Sequence, residues 1–156
     1  GKPSWALLPG TMHLPLIVRW PDGAGAGRRI GGLRYNLDIP ATVYDAARVA
    51  PSGTIDGVSL RPALGDGHAG AREYLTSRYG NTVWYRDATW WAFGGVGAGD
   101  RHAFRLPDDG DLRNDLGAEP AAWELAWRRI LADAGGDLPD YAAARRTDAI
   151  GQKPVQ

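Results

Sequence analysis

The side chains able to do chemistry are few and widely spaced. The three histidines, His13, His68 and His102, include no pair at the i, i+4 spacing that sets two metal ligands on one helix face. With no cysteine in the chain, disulfides, thiolate metal sites, iron–sulfur clusters and a cysteine nucleophile are excluded from it, and zinc would need His with carboxylates. No Gly-x-Ser-x-Gly elbow occurs. The glycine clusters at 23–27 and 94–99 lack the phosphate-cradling G-x-G-x-x-G spacing and open no helix, so both read as surface loops. The aromatic cluster Trp84, Tyr85, Trp90, Trp91 and Phe93 could offer a stacking platform for carbohydrate or bases. Neighbouring strand residues point to opposite faces, however, so one of Trp90 and Trp91 can pack on Trp123 and Trp127, and core packing is the preferred reading. Lys2 and His13 bracket the approach to an apolar run, and Lys2 is one of only 2 lysines against 16 arginines.

These groups must be positioned by a chain of 156 residues, the size of one ordinary domain. Leu, Ile, Val and Phe total only 30 residues, yet 7 Trp and 6 Tyr supply large buriable surfaces, and 18 basic residues balance 18 acidic ones. A core is therefore within reach and disorder by self-repulsion is not expected. A pI near 7.0 provides no field for collecting nucleic acid or anionic lipid, so neither nucleic acid nor a membrane is expected as a partner. No apolar run approaches a bilayer span and no leader pattern opens the chain. The start at Gly1 rather than Met suggests that something upstream has been removed or was never included.

Leu14 to Trp20 is a short continuous apolar run bounded by prolines, the signature of a strand buried on both faces. A helix is predicted from Ile39 to Arg48, with Asp38 as N-cap and Pro40 in its first turn. From Arg72 the period shortens to two, and the runs at 72–79, 82–86, 89–93 and 101–106, separated by turn signals, predict an antiparallel meander of three or four strands. Pro120 opens an amphipathic helix with Trp123, Trp127, Ile130 and Leu131 on one face, ended by Gly135 and Gly136. The remainder, 136–156, reads as a loosely held tail.

In order along the chain stand Gly1-Lys2, an apolar strand ending in Trp20-Pro21, Leu37-Asp38-Ile39-Pro40-Ala41-Thr42, the stretch Asp56-Gly57-Val58-Ser59-Leu60-Arg61-Pro62-Ala63-Leu64, and the late segment from Phe104 through Leu116. This order resembles the C-terminal portion of the sulfatases, within the alkaline-phosphatase-like superfamily of sulfate and phosphate ester hydrolases, over residues 1 to about 135. The family carries an Asp-x-x-Pro-Thr helix, an Asp-Gly-x-Ser-Leu-x-Pro-Leu-Leu segment and a late Asn-Leu ending. Ala41 reads as an insertion in the helix motif, and the late motif keeps Asn114 and Leu116 but lacks its glutamate.

The resemblance implies an α/β architecture, α+β for the chain taken alone: the end of a large mixed sheet, then a small antiparallel meander with a packed C-terminal helix. It divides the chain into 1–66, part of the catalytic α/β domain; 67–135, the C-terminal subdomain; and 136–156, the tail. It implies a sulfuric ester hydrolase whose formylglycine nucleophile and calcium, or another divalent cation, lie in the N-terminal part of the same enzyme, since neither C-x-P-x-R nor S-x-P-x-R occurs here. This chain alone is expected to be inactive. Lys2 matches the family's Gly-Lys, whose ammonium faces the sulfate oxygens, and His13 falls where a substrate-side Arg or His often stands. The substrate is a sulfated small molecule or glycan. Two other readings stay open: a phosphodiester or phosphonate hydrolase of the same superfamily, and a non-catalytic Trp-rich binding module. The module predicts exposed aromatics; the hydrolase segment predicts an apolar strand without its neighbours. His68 and Arg72 read as surface residues.

Overall fold

The computed structural model describes residues 7–97 and 99–141. Contacts divide the described residues into two compact units, one of residues 7–14 with those from 76 to 141 and one of residues 15–75. Together the elements are α+β: helices and one four-stranded antiparallel sheet.

In the first unit, strands β1 (Leu75–Tyr79), β2 (Thr82–Arg86), β3 (Trp90–Gly95) and β4 (His102–Arg105) form a meander in sequence order. The period-two runs place all four strands. The β2–β3 turn is tied by Asp87, whose carboxylate accepts the amides of Thr89 at 2.7 Å and Trp90 at 2.6 Å, while Tyr85 donates its hydroxyl to the other oxygen. Register pairs Trp84 with Phe93, Trp91 with Phe104, and Phe93 with His102. One face therefore carries Trp84, Trp91, Phe93 and Phe104, all buried. Trp84 and Trp91 meet edge to face at 5.0 Å, and Trp91 Nε1 donates to Leu7 O at 3.1 Å, which satisfies its buried indole N–H.

The opposite face presents Val83, Ala92, Gly94 and Ala103 and receives helix α3 (Pro120–Asp133). A Cβ on Gly94 would meet the Trp123 ring at 3.1 Å and the carbonyl of Asp100 at 2.7 Å, so the absent side chain is what lets the helix approach. Ala122, Trp123, Ala126 and Ile130 recur at helical spacing and are buried, with Trp127 and Leu131 half-buried at the margin. Trp91, the more buried of the adjacent pair, thus faces away from the helix rather than onto Trp123 and Trp127. Pro120 occupies the first helical position and Glu119 accepts the Ala121 amide. The helix ends as expected, with Gly135 and Gly136 at positive φ and their amides on the last carbonyls. A four-residue helix, α1 (Pro9–Met12), precedes His13.

The second unit has little apolar core. Its helix α2 (Asp38–Ala47) is followed by a 3₁₀ turn, Arg61–Leu64, and an isolated bridge joins Leu33 to Arg72. Leu14 to Trp20 is not a strand: it pairs with nothing among the described residues, and Ile17 is 94% exposed. An apolar run forms a buried strand only where neighbouring strands offer hydrogen bonds, and in this chain every described strand belongs to the meander. Asp38 also differs from expectation. Leu37 is the N-cap, whose apolar side chain can make no cap bond, and Asp38 stands at the first helical position with its carboxylate committed elsewhere. Nor is Ala41 an insertion: the step from Asp38 to Thr42 is four residues, the same as in the Asp-x-x-Pro-Thr pattern, and only Pro40 stands one position early. No described helix is long and apolar enough to cross a membrane.

Candidate functional site

The densest polar constellation is built around Asp38, which is fully buried. Its Oδ2 accepts the Tyr35 amide at 2.9 Å and Arg72 Nη1 at 2.7 Å; its Oδ1 accepts the Val58 amide at 2.9 Å and Arg72 Nη2 at 2.7 Å. Burial pushes this carboxyl up, but the Arg72 hydrogen bonds, the two amides and the guanidinium charge together hold it below the usual carboxylate range. One helical turn on, Thr42 donates its hydroxyl to Asp38 O at 2.6 Å and accepts the Leu60 amide at 2.9 Å. Ser59 donates to Asp45, and Arg34 spans the carbonyls of Ala69 and Gly67. The Arg72 guanidinium lies 5.0 Å over the Tyr35 ring.

Two motifs that are separate in sequence therefore meet, the Asp38–Thr42 step and the Gly57–Leu60 stretch. Gly57 makes the approach possible, since a Cβ there would lie 2.0 Å from Leu37 O. The Asp38 and Arg72 charges are paired with each other and Arg34 is spent on backbone carbonyls, so the capacity of the clamp is to hold backbone in place rather than to transfer protons. Arg72, read from sequence as a surface residue, is its cation. No local signal announces that pairing, because the partners stand 34 residues apart.

Of the predicted site residues, Lys2 lies outside the described residues. His13 is exposed at the end of α1, and no described residue hydrogen-bonds its ring. His68 is exposed beside the 3₁₀ turn, as the sequence suggested; its backbone amide donates to Asp66 and its carbonyl accepts the Ala71 amide. Among the described residues no group of three or more His, Asp and Glu is arranged to hold a metal ion, so calcium is assigned to none of them.

Two features of the sheet unit escaped the sequence reading. His102 lies between carboxylates, Nδ1 at 2.5 Å from Asp115 and Nε2 at 3.1 Å from Asp100, and stacks on Phe93 at 4.8 Å. Burial lowers its pKa, but the two carboxylates outweigh it and the net shift is upward. Next to it, the Arg101 guanidinium sits over Trp123 at 4.7 Å and Trp127 at 5.4 Å. An arginine bordering a strand opposite a Trp-bearing helix is the only sequence signal for this stack.

No protein-family profile and no curated protein matches the sequence. Solved structures do align with it. A protein of Bacteroides thetaiotaomicron VPI-5482 designated a sulfatase is 22% identical over 74% of this chain and 26% of its own, with a TM-score of 0.47. A 2-O GAG sulfatase aligns at 22% identity with the same coverages and a TM-score of 0.46. A third protein, solved with its substrate D-glucosamine-2-N,6-O-disulfate, is 16% identical over 64% of this chain and 23% of its own, with a TM-score of 0.49. The chain spans about a quarter of the length of these structures.

Proposed function

We propose that this chain is the C-terminal segment of a sulfatase-type hydrolase that cleaves sulfate esters of small molecules or glycans in the intact enzyme. The observation that carries this reading is the exposed run Leu14–Val18: side chains suited to a strand buried on both faces stand in solvent, Ile17 almost completely. A preceding part of the same protein supplies the neighbouring strands. The ordered motifs add support, because Asp38, Thr42, Gly57 and Leu60 each have a defined task in one clamp. The module reading required exposed sheet aromatics, whereas Trp84, Trp91 and Phe93 are buried, which removes them as a stacking platform.

In this proposal residues 1–66 complete the catalytic α/β domain and 67–135 form the C-terminal subdomain. The nucleophile and the cation belong to the preceding part, where calcium would neutralise the ester oxygens and a formylglycine would accept the sulfuryl group. Lys2 places a compact, strongly hydrated ammonium beside those oxygens, stabilising charge that develops on them in the transition state. His13 lies on the substrate side.

The test is to express the chain together with the sequence that precedes Gly1 in its gene and to assay aryl sulfate against aryl phosphate. Hydrolysis of the sulfate, with a loss of about 10²-fold or more in kcat for Lys2→Ala, is expected, that being the scale of one lost charge-stabilising donor. Preference for the phosphate would move the reading to the phosphodiester branch, and no hydrolysis of either would overturn it.

A further inference from the structure

Beside the first turn of α3 lies an open depression of about 350 Å³ lined by Arg101, Ala118, Pro120, Trp123, Glu124 and Trp127. That is within the lower part of the size range of small-molecule sites. The Arg101 guanidinium is held against two indoles, yet it makes no ion pair or hydrogen bond with any described residue. Its Nε is buried without a partner, and the side chain lines the depression. The clamp around Asp38 shows what this chain does with an arginine whose role is internal: the fork is filled by a carboxylate. At Arg101 the guanidinium lies over two rings and its fork meets no acceptor among the described residues. A planar guanidinium with its faces on aromatic rings and its edge toward solvent receives a carboxylate side-on through two parallel N–H···O bonds.

Glu124 sets the second requirement. It is exposed, makes no ion pair with Arg101, and offers acceptors on the rim of the same depression. A bare inorganic anion would be repelled there, whereas a ligand carrying hydroxyl donors away from its own carboxylate would satisfy both groups. Pro120, Ala118 and the indoles supply apolar walls between them.

We propose that this depression binds a hydroxylated organic acid on a compact ring, its carboxylate on Arg101 and a hydroxyl on Glu124. The site lies wholly within the sheet unit and does not depend on the sulfatase reading. It can be tested by NMR titration of the full 156-residue chain with glucuronate, benzoate and inorganic sulfate, following the indole N–H signals of Trp123 and Trp127 and the Arg101 side chain. Glucuronate is expected to shift these saturably and to bind more tightly than benzoate or sulfate. Arg101→Gln should weaken glucuronate about tenfold or more, the scale of one lost charge-assisted fork, with the sheet resonances unmoved. Glu124→Ala, an exposed change that removes the acceptor together with its charge, should lower the glucuronate preference over benzoate and tighten sulfate. A glucuronate titration without saturable shifts, sulfate binding as tightly as glucuronate, or an unchanged glucuronate preference over benzoate in Glu124→Ala would each overturn the assignment.

Discussion

The sheet unit and the unit of residues 15–75 solve the problem of holding a chain together in opposite ways. The first buries apolar side chains: Val83, Trp84, Trp91, Phe93, Phe104, Trp123 and Ile130 are each 6% exposed or less. The second buries an ion pair, and leaves Leu16, Ile17, Val18, Leu37, Val43, Val49 and Val58 in solvent. Apolar burial is non-directional and tolerant of detail, while a buried carboxylate is stable only if every lone pair is met. The second unit is therefore specific in geometry and weakly driven toward compactness, and its exposed apolar surface is where a partner's burial would add stability.

Breaking each unit at its own point of support should separate them. Trp91→Ala removes the largest fully buried side chain and should cost about 3–5 kcal/mol, read as loss of cooperative melting and of amide protection in β2–β4, with α2 protection unchanged. Asp38→Ala strands the Arg72 cation and the part-buried amides of Tyr35 and Val58. It should cost about 3 kcal/mol, the lower end for breaking a buried pair because Arg72 keeps some solvent contact, and the lost protection should fall in α2 and 56–60. If Asp38→Ala melts the sheet as well, the two units are one cooperative body and the contrast fails.

Smaller changes sharpen the contrast. Gly94→Ala crowds Trp123 and the Asp100 carbonyl and should destabilise the sheet unit by about 1–3 kcal/mol, measured by denaturant midpoint. Ile17→Asp should change stability by less than about 0.5 kcal/mol, as for a surface site, while lowering dye binding to exposed apolar surface and raising the solubility of the isolated chain. A large stability loss at Ile17 would mean that the residue is buried after all.

Acid and base should act on different units. The Asp38 carboxyl is held below its ordinary value, so its contribution is present above pH about 4 and is lost as pH falls through the folded value. His102 is raised above 6.5; its contribution is complete below that pH and is lost as pH rises through the folded value. Both ring nitrogens face a carboxylate oxygen, and only the imidazolium can donate from both. Asp115, held below its ordinary value despite burial, also accepts the amides of Ala103 and Gly117, so the loop after β4 should loosen on the alkaline side. Amide exchange at 106–117 measured across pH 5–9, with His102→Gln as control, checks this; equal exchange in the two proteins would remove His102 from the latch.

How much of this could be read from the sequence follows from range. The strands at 82–86 and 102–105 and the helix from Pro120 declare themselves through periods of two and of three to four, which are local properties. The fate of Leu14–Trp20 is not local: the run states that burial is needed without stating by what. Asp38 drew attention as a cap because capping is a short-range rule, but its partners lie 20 and 34 residues away and polar pairs leave no period. The Arg101 stack and the His102 latch were missed for the same reason, since each joins a strand border to a segment chosen only by the fold.

The hydrogen bond from Trp91 to Leu7 spans 84 positions, and residues 15–75 are made between them. During synthesis at roughly 5–20 residues per second, the sheet unit waits on the order of seconds after Leu7 emerges before Trp91 exists to close it. Every member of the Asp38 clamp, from Arg34 to Arg72, has by then been made. The order of translation thus gives the polar clamp its full set of partners before the Trp91 bond has its donor.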